Sequence, residues 1–231
     1  MTDNGTPIEL SWDWDSKKKS PTIRYSIEPI GITAGTPQDP HNCLATSKFH
    51  QRLQHLLTLT RLEWLDYFQG VFNCSDHSKF SAQKGHRSRI FYAFDLNGSN
   101  TMTKAYFFPT FQPQENSNDH SDVERLLEII AKSPYCSFEK LQALLAFRDF
   151  VFELKDIAFK LEMLAIDLVD PTEARLKIYF RLRETSFSSV IRVMTLGGRA
   201  TTSELTRGLE DLRRLWDTIF GVNSRSDLRL N

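Results

Sequence analysis

Polar and apolar residues alternate from 8 to 14, as Ile8-Glu9-Leu10-Ser11-Trp12-Asp13-Trp14, which predicts a half-buried strand. The alternation returns over 22–28, with Ile23, Tyr25 and Ile27 on one face and Arg24, Ser26 and Glu28 on the other. Pro29 stops the pairing, because proline cannot donate to a ladder. The period then changes. Leu53, Leu56, Leu57, Leu59, Leu62, Trp64, Leu65 and Phe68 recur at helical spacing, so 44–73 reads as helix, with breaks possible near Thr58 or Thr60. Residues 88–96 and 103–109 read as a hairpin turning at Asn97-Gly98. Ser121 and Glu124 form a capping-box pattern for a helix to about Ser133, and Ser137 caps another to about Ile157. A third hairpin covers 161–169 and 174–182. A short helix follows near 186–194, and Thr201 with Glu204 opens a last one through about Phe220. The tail from Asn223 to Asn231 is polar and reads as frayed. The order is strand-strand-helix-helix, three times, with no long linker, so 1–231 is expected to be a single domain.

Two of the hairpins resemble each other. Ala93-Phe94-Asp95-Leu96 precedes Lys104-Ala105-Tyr106-Phe107, and Ala165-Ile166-Asp167-Leu168 precedes Lys177-Ile178-Tyr179-Phe180. The interval is constant, 177 − 104 = 179 − 106 = 73. That length holds one hairpin with its helices. In the last strand Arg175, Lys177, Tyr179 and Arg181 share a face, and Leu176, Ile178, Phe180 and Leu182 share the other. Helices that follow each hairpin need an apolar face to cover, so the Lys/Tyr face points away from them. Two architectures satisfy this. An open sheet shows the Lys/Tyr face to water, whereas a closed barrel encloses it. Lys104, Arg175 and Lys177 on one surface repel one another unless an anion lies between them. A diphosphate meets that need, and tyrosine hydroxyls can donate to its oxygens.

Composition narrows the choice. Lys plus Arg and Asp plus Glu both number 29, so there is no net basic charge to attract nucleic acid or an acidic membrane. There is no long apolar run, and residues 1–10 lack a leader pattern; a cytoplasmic location is expected. Cys43, Cys74 and Cys136 are odd in number, lack metal spacing and read as free thiols. The 17 phenylalanines suit a large helix–sheet interface.

Several ordered stretches carry a family resemblance. Arg24-Tyr25-Ser26-Ile27-Glu28-Pro29-Ile30, Ala93-Phe94-Asp95-Leu96, Lys104-Ala105-Tyr106-Phe107-Phe108-Pro109, Ala174-Arg175-Leu176-Lys177-Ile178-Tyr179 and Thr195-Leu196-Gly197-Gly198-Arg199 resemble the fungal aromatic prenyltransferases of the dimethylallyltryptophan synthase type. The resemblance runs from about residue 8 to about 222. It implies an α+β fold, an antiparallel β-barrel surrounded by α-helices and built from αββα repeats. Only the first three hairpins are matched, so about six strands of an incomplete barrel are expected, from a truncated member.

The resemblance also implies chemistry. Glu28 matches the catalytic glutamate that accepts the indole N–H. Lys104 and Tyr106 match the first diphosphate-binding pair, and Arg175, Lys177 and Tyr179 the second set. The implied reaction is metal-independent transfer of a dimethylallyl group from its diphosphate to an indole-type acceptor in secondary metabolism, with no cofactor. The alternatives are an inactive, truncated relative that binds diphosphate weakly or not at all, and a phosphate-binding module of unrelated fold. No membrane or nucleic-acid partner is expected, and edge pairing into a homodimer is open. Two features depart from the family pattern. Residues 31–47 contain no Lys or Arg, and Phe91 stands where tryptophan-specific members carry lysine, with Arg89 its same-face neighbour.

Overall fold

The structure, a computed structural model, describes residues 5–14, 21–57, 60–72, 89–98, 100–109, 111, 119–154, 159–182, 184–221 and 228–229. The chain divides into two compact units: residues 1–112 with 162–179, and residues 113–161 with 180–231. Six strands, β1 (Ile8–Asp13), β2 (Thr22–Ile27), β3 (Ile90–Asn97), β4 (Asn100–Phe107), β5 (Phe159–Asp167) and β6 (Leu176–Leu182), form one sheet ordered as in the chain. The β1–β2, β2–β3, β3–β4 and β4–β5 pairs are antiparallel.

In the first unit the strand register sorts the side chains. Ile23 lies opposite Leu96, Tyr25 opposite Phe94, Tyr92 opposite Ala105 and Ala105 opposite Ile166. Paired residues share a face, so this apolar set forms one side of the sheet. Two helices cover it, α1 (Cys43–Leu56) and α2 (Glu63–Val71). Phe49 of α1 lies 4.7 Å, centroid to centroid, from Tyr92. On α2, Trp64 and Phe68 stack at 5.4 Å, and Phe68 stacks on Phe72 at 5.7 Å. Their spacing of four residues puts all three rings on one helix face. Phe68 also meets Phe107 of β4 at 5.7 Å. The Trp64 indole N–H donates to the Pro171 carbonyl at 3.4 Å, and the Gln69 amide donates to the Tyr92 hydroxyl at 3.2 Å. The buried polar tips are thereby satisfied.

The helical stretch expected over 44–73 is therefore two helices, parted between Leu57 and Leu62. α1 is capped unusually. Asn42 adopts a left-handed backbone (φ 56°), and its side chain donates to the Pro29 carbonyl and accepts from Gly31 N–H. The Asp39 carboxylate accepts the first amides of the helix, Cys43 at 2.7 Å and Leu44 at 3.2 Å. A loop with no Lys or Arg thus ends in an anionic cap that the helix dipole favours. Cys43 is disulfide-bonded, which corrects the expectation of free thiols; Cys136 is free. Its ring of contacts aside, β1 also differs from expectation. Ile8, Leu10 and Trp12 alternate as predicted, yet they are 60–68% exposed, because β1 is the sheet's outer strand and α1 sets its Phe49 against β3.

In the second unit, α3 (Asp119–Ala131) and α4 (Phe138–Glu153) bury Val123, Leu126, Ile130, Phe150 and Val151. Phe159 stacks on Phe180 at 4.3 Å, beside Phe147 of α4. α4 starts where predicted, with the Ser137 hydroxyl accepting from Lys140 N–H. α3 begins at Asp119, so Ser121 lies inside the helix and does not cap it. Two helices complete the unit, α5 (Phe187–Met194) and α6 (Ser203–Phe220). Ser186 and Ser189 form the capping box of α5, and Thr202, not Thr201, caps α6. Between them Gly197 and Gly198 take φ of 68° and 90°, and a Cβ on Gly197 would stand 3.4 Å from the Phe150 ring. Trp216 of α6 packs on Phe187 and Phe220, with the Arg213 guanidinium 4.8 Å from the Phe187 centroid. The tail is not wholly frayed: β8 (Leu228–Arg229) pairs with β7 (Glu184–Thr185). Among the described residues no helix is long and apolar enough to cross a membrane.

The two sides of the first unit give unequal mutational costs. Phe68→Ala leaves a cavity among three rings and is expected to cost ~3–5 kcal/mol in urea denaturation. Leu10→Thr, on the uncovered side of β1, should stay within about 0.5 kcal/mol of the unmodified protein. Equal losses would mean that something covers β1.

Candidate active site

The face opposite the helices carries the charge. Arg24 lies opposite Asp95, Ala93 opposite Lys104, Lys104 opposite Asp167, and Tyr106 opposite Ala165. Strand alternation puts all of these on the side that α1 and α2 leave open. From β6, Tyr179 reaches the same face, its ring 6.1 Å from that of Tyr106. Lys177 is in phase with it, and Arg175, just before β6, donates from Nε to Asp167 Oδ2 at 2.6 Å. The equivalent hairpins thus bring Lys104, Tyr106, Arg175, Lys177 and Tyr179 together on one surface within the first unit.

Three participants were not anticipated as site residues: Arg24, Asp95 and Asp167. The Asp95 carboxylate accepts from the Arg24 guanidinium, Nη2 to Oδ2 at 2.9 Å with a second bond from Nε, and from the Lys104 ammonium. Lys104 is only 3% exposed and Asp167 only 2%. The cluster joined by these contacts holds four cations, Arg24, Lys104, Arg175 and Lys177, and two carboxylates, Asp95 and Asp167; farther out, the same face carries Glu28 past β2 and Glu9 and Asp13 of β1. The signal for the carboxylates was present in the sequence. Each is the Asp of the repeated Ala-apolar-Asp-Leu stretch, two residues from an inward Ala.

The environment sorts the protonation states. Burial pushes the Asp95 carboxyl up, but hydrogen bonds from Arg24 and Lys104, with their charges, bring it below the usual carboxylate value. The hydrogen bond to Asp95 raises the Arg24 guanidinium. Burial, reinforced by Tyr179, pushes the Tyr106 phenol up to about 12, so it remains a hydroxyl donor at neutral pH. Burial depresses Lys177, and the charges of Lys104, Arg175 and Arg24 act in the same direction against Asp167.

Glu28 stands one residue past β2, buried, with its N–H donating to the Pro7 carbonyl at 2.8 Å. It is in phase with Arg24, four residues or about 13 Å along an extended chain. Its pairing with Arg24, the alternative that the sequence allowed, is not formed, because that guanidinium goes to Asp95. Phe91 is buried opposite Tyr106 and meets Phe108 at 5.8 Å. Arg89 does not join it. Arg89 precedes β3, its guanidinium 4.0 Å from the Cys43 sulfur, in a cavity of about 100 Å³ that Ile90 and Phe107 of the helix-covered face also line. Alternation fails at this point because the strand begins only at Ile90. Among the described residues no group of three or more His, Cys, Asp or Glu is placed to hold a metal.

Asp95 should also be visible in acid stability. Its carboxyl is depressed in the fold, so its contribution is complete above the unfolded value of about 3.9 and is lost as pH falls through the lower folded value. The stability gap between the unmodified protein and Asp95→Asn, measured by urea midpoints, should be widest at neutral pH and narrow below about pH 4. A gap that ignores pH would remove the charge from the explanation.

Comparison with known proteins bears on the family and the fold. The family model described as tryptophan dimethylallyltransferase matches residues 1–230. The 4-O-dimethylallyl-L-tyrosine synthase of Claviceps purpurea is 34% identical over 224 residues, 96% of this chain and 50% of its own. The 7-dimethylallyltryptophan synthase of Aspergillus fumigatus is 32% identical over 231 residues, 96% of this chain and 49% of its own. The crystal structure of AnaPT from Neosartorya fischeri superposes with a TM-score of 0.77 at 28% identity, covering 95% of this chain and 55% of that one. The chain spans about half the length of the curated relatives it matches. The α+β fold, with six strands of a prenyltransferase barrel and helices packed on the sheet, is the one expected. With the family model matched along almost the whole sequence, the chain belongs to the tryptophan dimethylallyltransferase family.

Proposed function

We propose that the charged face binds a prenyl diphosphate, and that this chain carries the donor-binding part of an aromatic prenyltransferase. One observation carries the reading. Two repeated hairpins direct Lys104, Tyr106, Arg175, Lys177 and Tyr179 to a single surface, where four cations cluster around two carboxylates. Heterolysis of an allylic C–O bond places growing negative charge on the departing diphosphate. Fixed cations and phenol donors stabilise that charge without reorganising. Side chains therefore supply the positive charge that the reaction requires, and no metal is needed to supply it. The aromatic faces of Tyr106 and Tyr179 shield the allyl cation.

An aromatic ring then attacks the cation, and a base removes the ring proton. Glu28 is the residue that orients the acceptor. Its distance along β2 from Arg24 leaves room for a five-carbon prenyl group between leaving group and ring. The names of the relatives point to tryptophan or tyrosine as acceptors. With Phe91 buried where tryptophan-specific members carry a lysine, that position brings no cation to the ring, and Glu28 with aromatic contact holds the acceptor. Such a reaction suits a cytoplasmic enzyme.

A second reading is favoured by a separate observation. Three of the four cations are already ion-paired, and β1 leaves its apolar side exposed. An inactive relative with weak diphosphate affinity would look the same. Calorimetry with inorganic pyrophosphate and a transfer assay with dimethylallyl diphosphate separate the two. Binding with product from tryptophan or tyrosine is expected. Lys177→Met should weaken pyrophosphate binding about ten- to a hundredfold, the loss of one charge-assisted contact. Binding without any product would select the inactive relative, and no binding would overturn the anion site.

A further inference from the structure

The repeated hairpins differ at one position, and the difference changes the state of a lysine. Lys104 and Lys177 are equivalent, as are Asp95 and Asp167. In the first hairpin the residue two before the lysine is Met102; in the second it is Arg175. Met102 cannot compete for a carboxylate, and Asp95 takes Lys104. Arg175 can compete, and its guanidinium holds Asp167. Lys177 is left with no ion pair among the described residues, facing Lys104 and Tyr106 of β4, Asp167 of β5, Arg24 of β2, and Arg175 and Tyr179 of its own segment. Asp95 of β3 is committed to Arg24 and Lys104.

We infer that Lys177 is a nucleophilic amine, and that this face is a site for phosphorylated aldehydes, which anchor through phosphate on Arg175 and the tyrosines and condense with Lys177. The inference rests on the reading of the face as an anion site. An amine beside other cations, partly removed from water, loses its proton more readily than a surface lysine. Lys177 is only partly buried, so a small ligand can reach it. Its depressed basicity follows from the same burial and neighbours. Lys104 does not compete, because Asp95 holds its ammonium. Lys132, exposed and paired with Glu128, represents the ordinary surface amine.

The chemistry is balanced without an oxidant. The Lys177 Nζ lone pair attacks the aldehyde carbon, and a C–N bond forms while the carbonyl π pair moves to oxygen. The oxygen takes a proton, leaves as water after a second protonation, and nitrogen loses its proton to give the imine. The phosphate is not consumed. It holds the carbonyl near the amine and makes the attack effectively intramolecular.

The test uses the whole chain with pyridoxal 5′-phosphate, borohydride reduction and peptide mass spectrometry. The expected result is one dominant reduced phosphopyridoxyl group, on Lys177. Pyridoxal, which lacks the phosphate, should label it on the order of tenfold more slowly. Inorganic pyrophosphate should protect it, and Lys177→Arg, checked for folding by circular dichroism, should lose the label. Label spread over Lys132 and other surface lysines overturns the inference. So does an unlabelled Lys177 in protein that binds pyrophosphate by calorimetry, and the anion site then stands without it. Absence of both label and pyrophosphate binding overturns the anion site as well.

Discussion

The Asp95 carboxylate holds the first unit's charged face together. It sits on β3 between a guanidinium from β2 and an ammonium from β4, and it accepts from both. Lys104 is almost wholly buried, and an isolated ammonium taken that far from water would cost several kcal/mol. The β3–β4 hairpin can bury that lysine only because the carboxylate arrives in register. Arg24 then satisfies the other side of the same group. Three adjacent strands are thus tied on the face away from the helices, while aromatic rings tie them on the covered face. Removing Asp95 would leave two cations side by side, which is the arrangement that a folded protein avoids.

Repetition gives the site its form, and a single departure from repetition gives it its asymmetry. Two hairpins with the same Asp and the same Lys-apolar-Tyr would produce two closed ion pairs. Arg175 breaks the equivalence by taking Asp167 in the position where the first hairpin has Met102. One lysine is closed and structural, and the other is open and available to a ligand. Arg175 reaches Asp167 from Nε at 2.6 Å, and Lys177 forms no ion pair among the described residues.

Much of this was legible in the chain. Period-2 alternation marked β1 and β2, the Asn97-Gly98 turn marked the β3–β4 hairpin, and the constant interval of 73 residues between Lys104 and Lys177 located the repeat. Face parity carried Lys104, Tyr106, Lys177 and Tyr179 to one surface. The reading missed features that depend on three-dimensional competition. Asp95 and Asp167 were visible as repeated residues, but their pairing depends on reach across neighbouring strands, which parity alone does not supply. Arg89 was placed by extending alternation one residue beyond the strand, where the backbone no longer obeys it. Ser121 and Thr201 fitted a capping pattern, but helix ends are decided by which amides are left over, and neighbouring residues offered equivalent starts. β1 was read as half-buried because alternation reports which side is apolar, not whether anything lies against it.

The charge balance decides what kind of ligand suits the face. Were all four cations paired by carboxylates, an anion would have to displace an internal ion pair, and its binding energy would go into breaking one. Were none paired, the cations would spread apart and have to be gathered when the ligand arrived. Two carboxylates against four cations avoids both extremes. Asp95 and Asp167 fix Arg24, Lys104 and Arg175 in place, while Lys177 forms no ion pair among the described residues. A multiply charged anion meets cations that are already positioned, and phenols such as Tyr106 stay protonated to donate to it. The preorganisation of these cations is therefore a property of the fold itself, set by two buried aspartates.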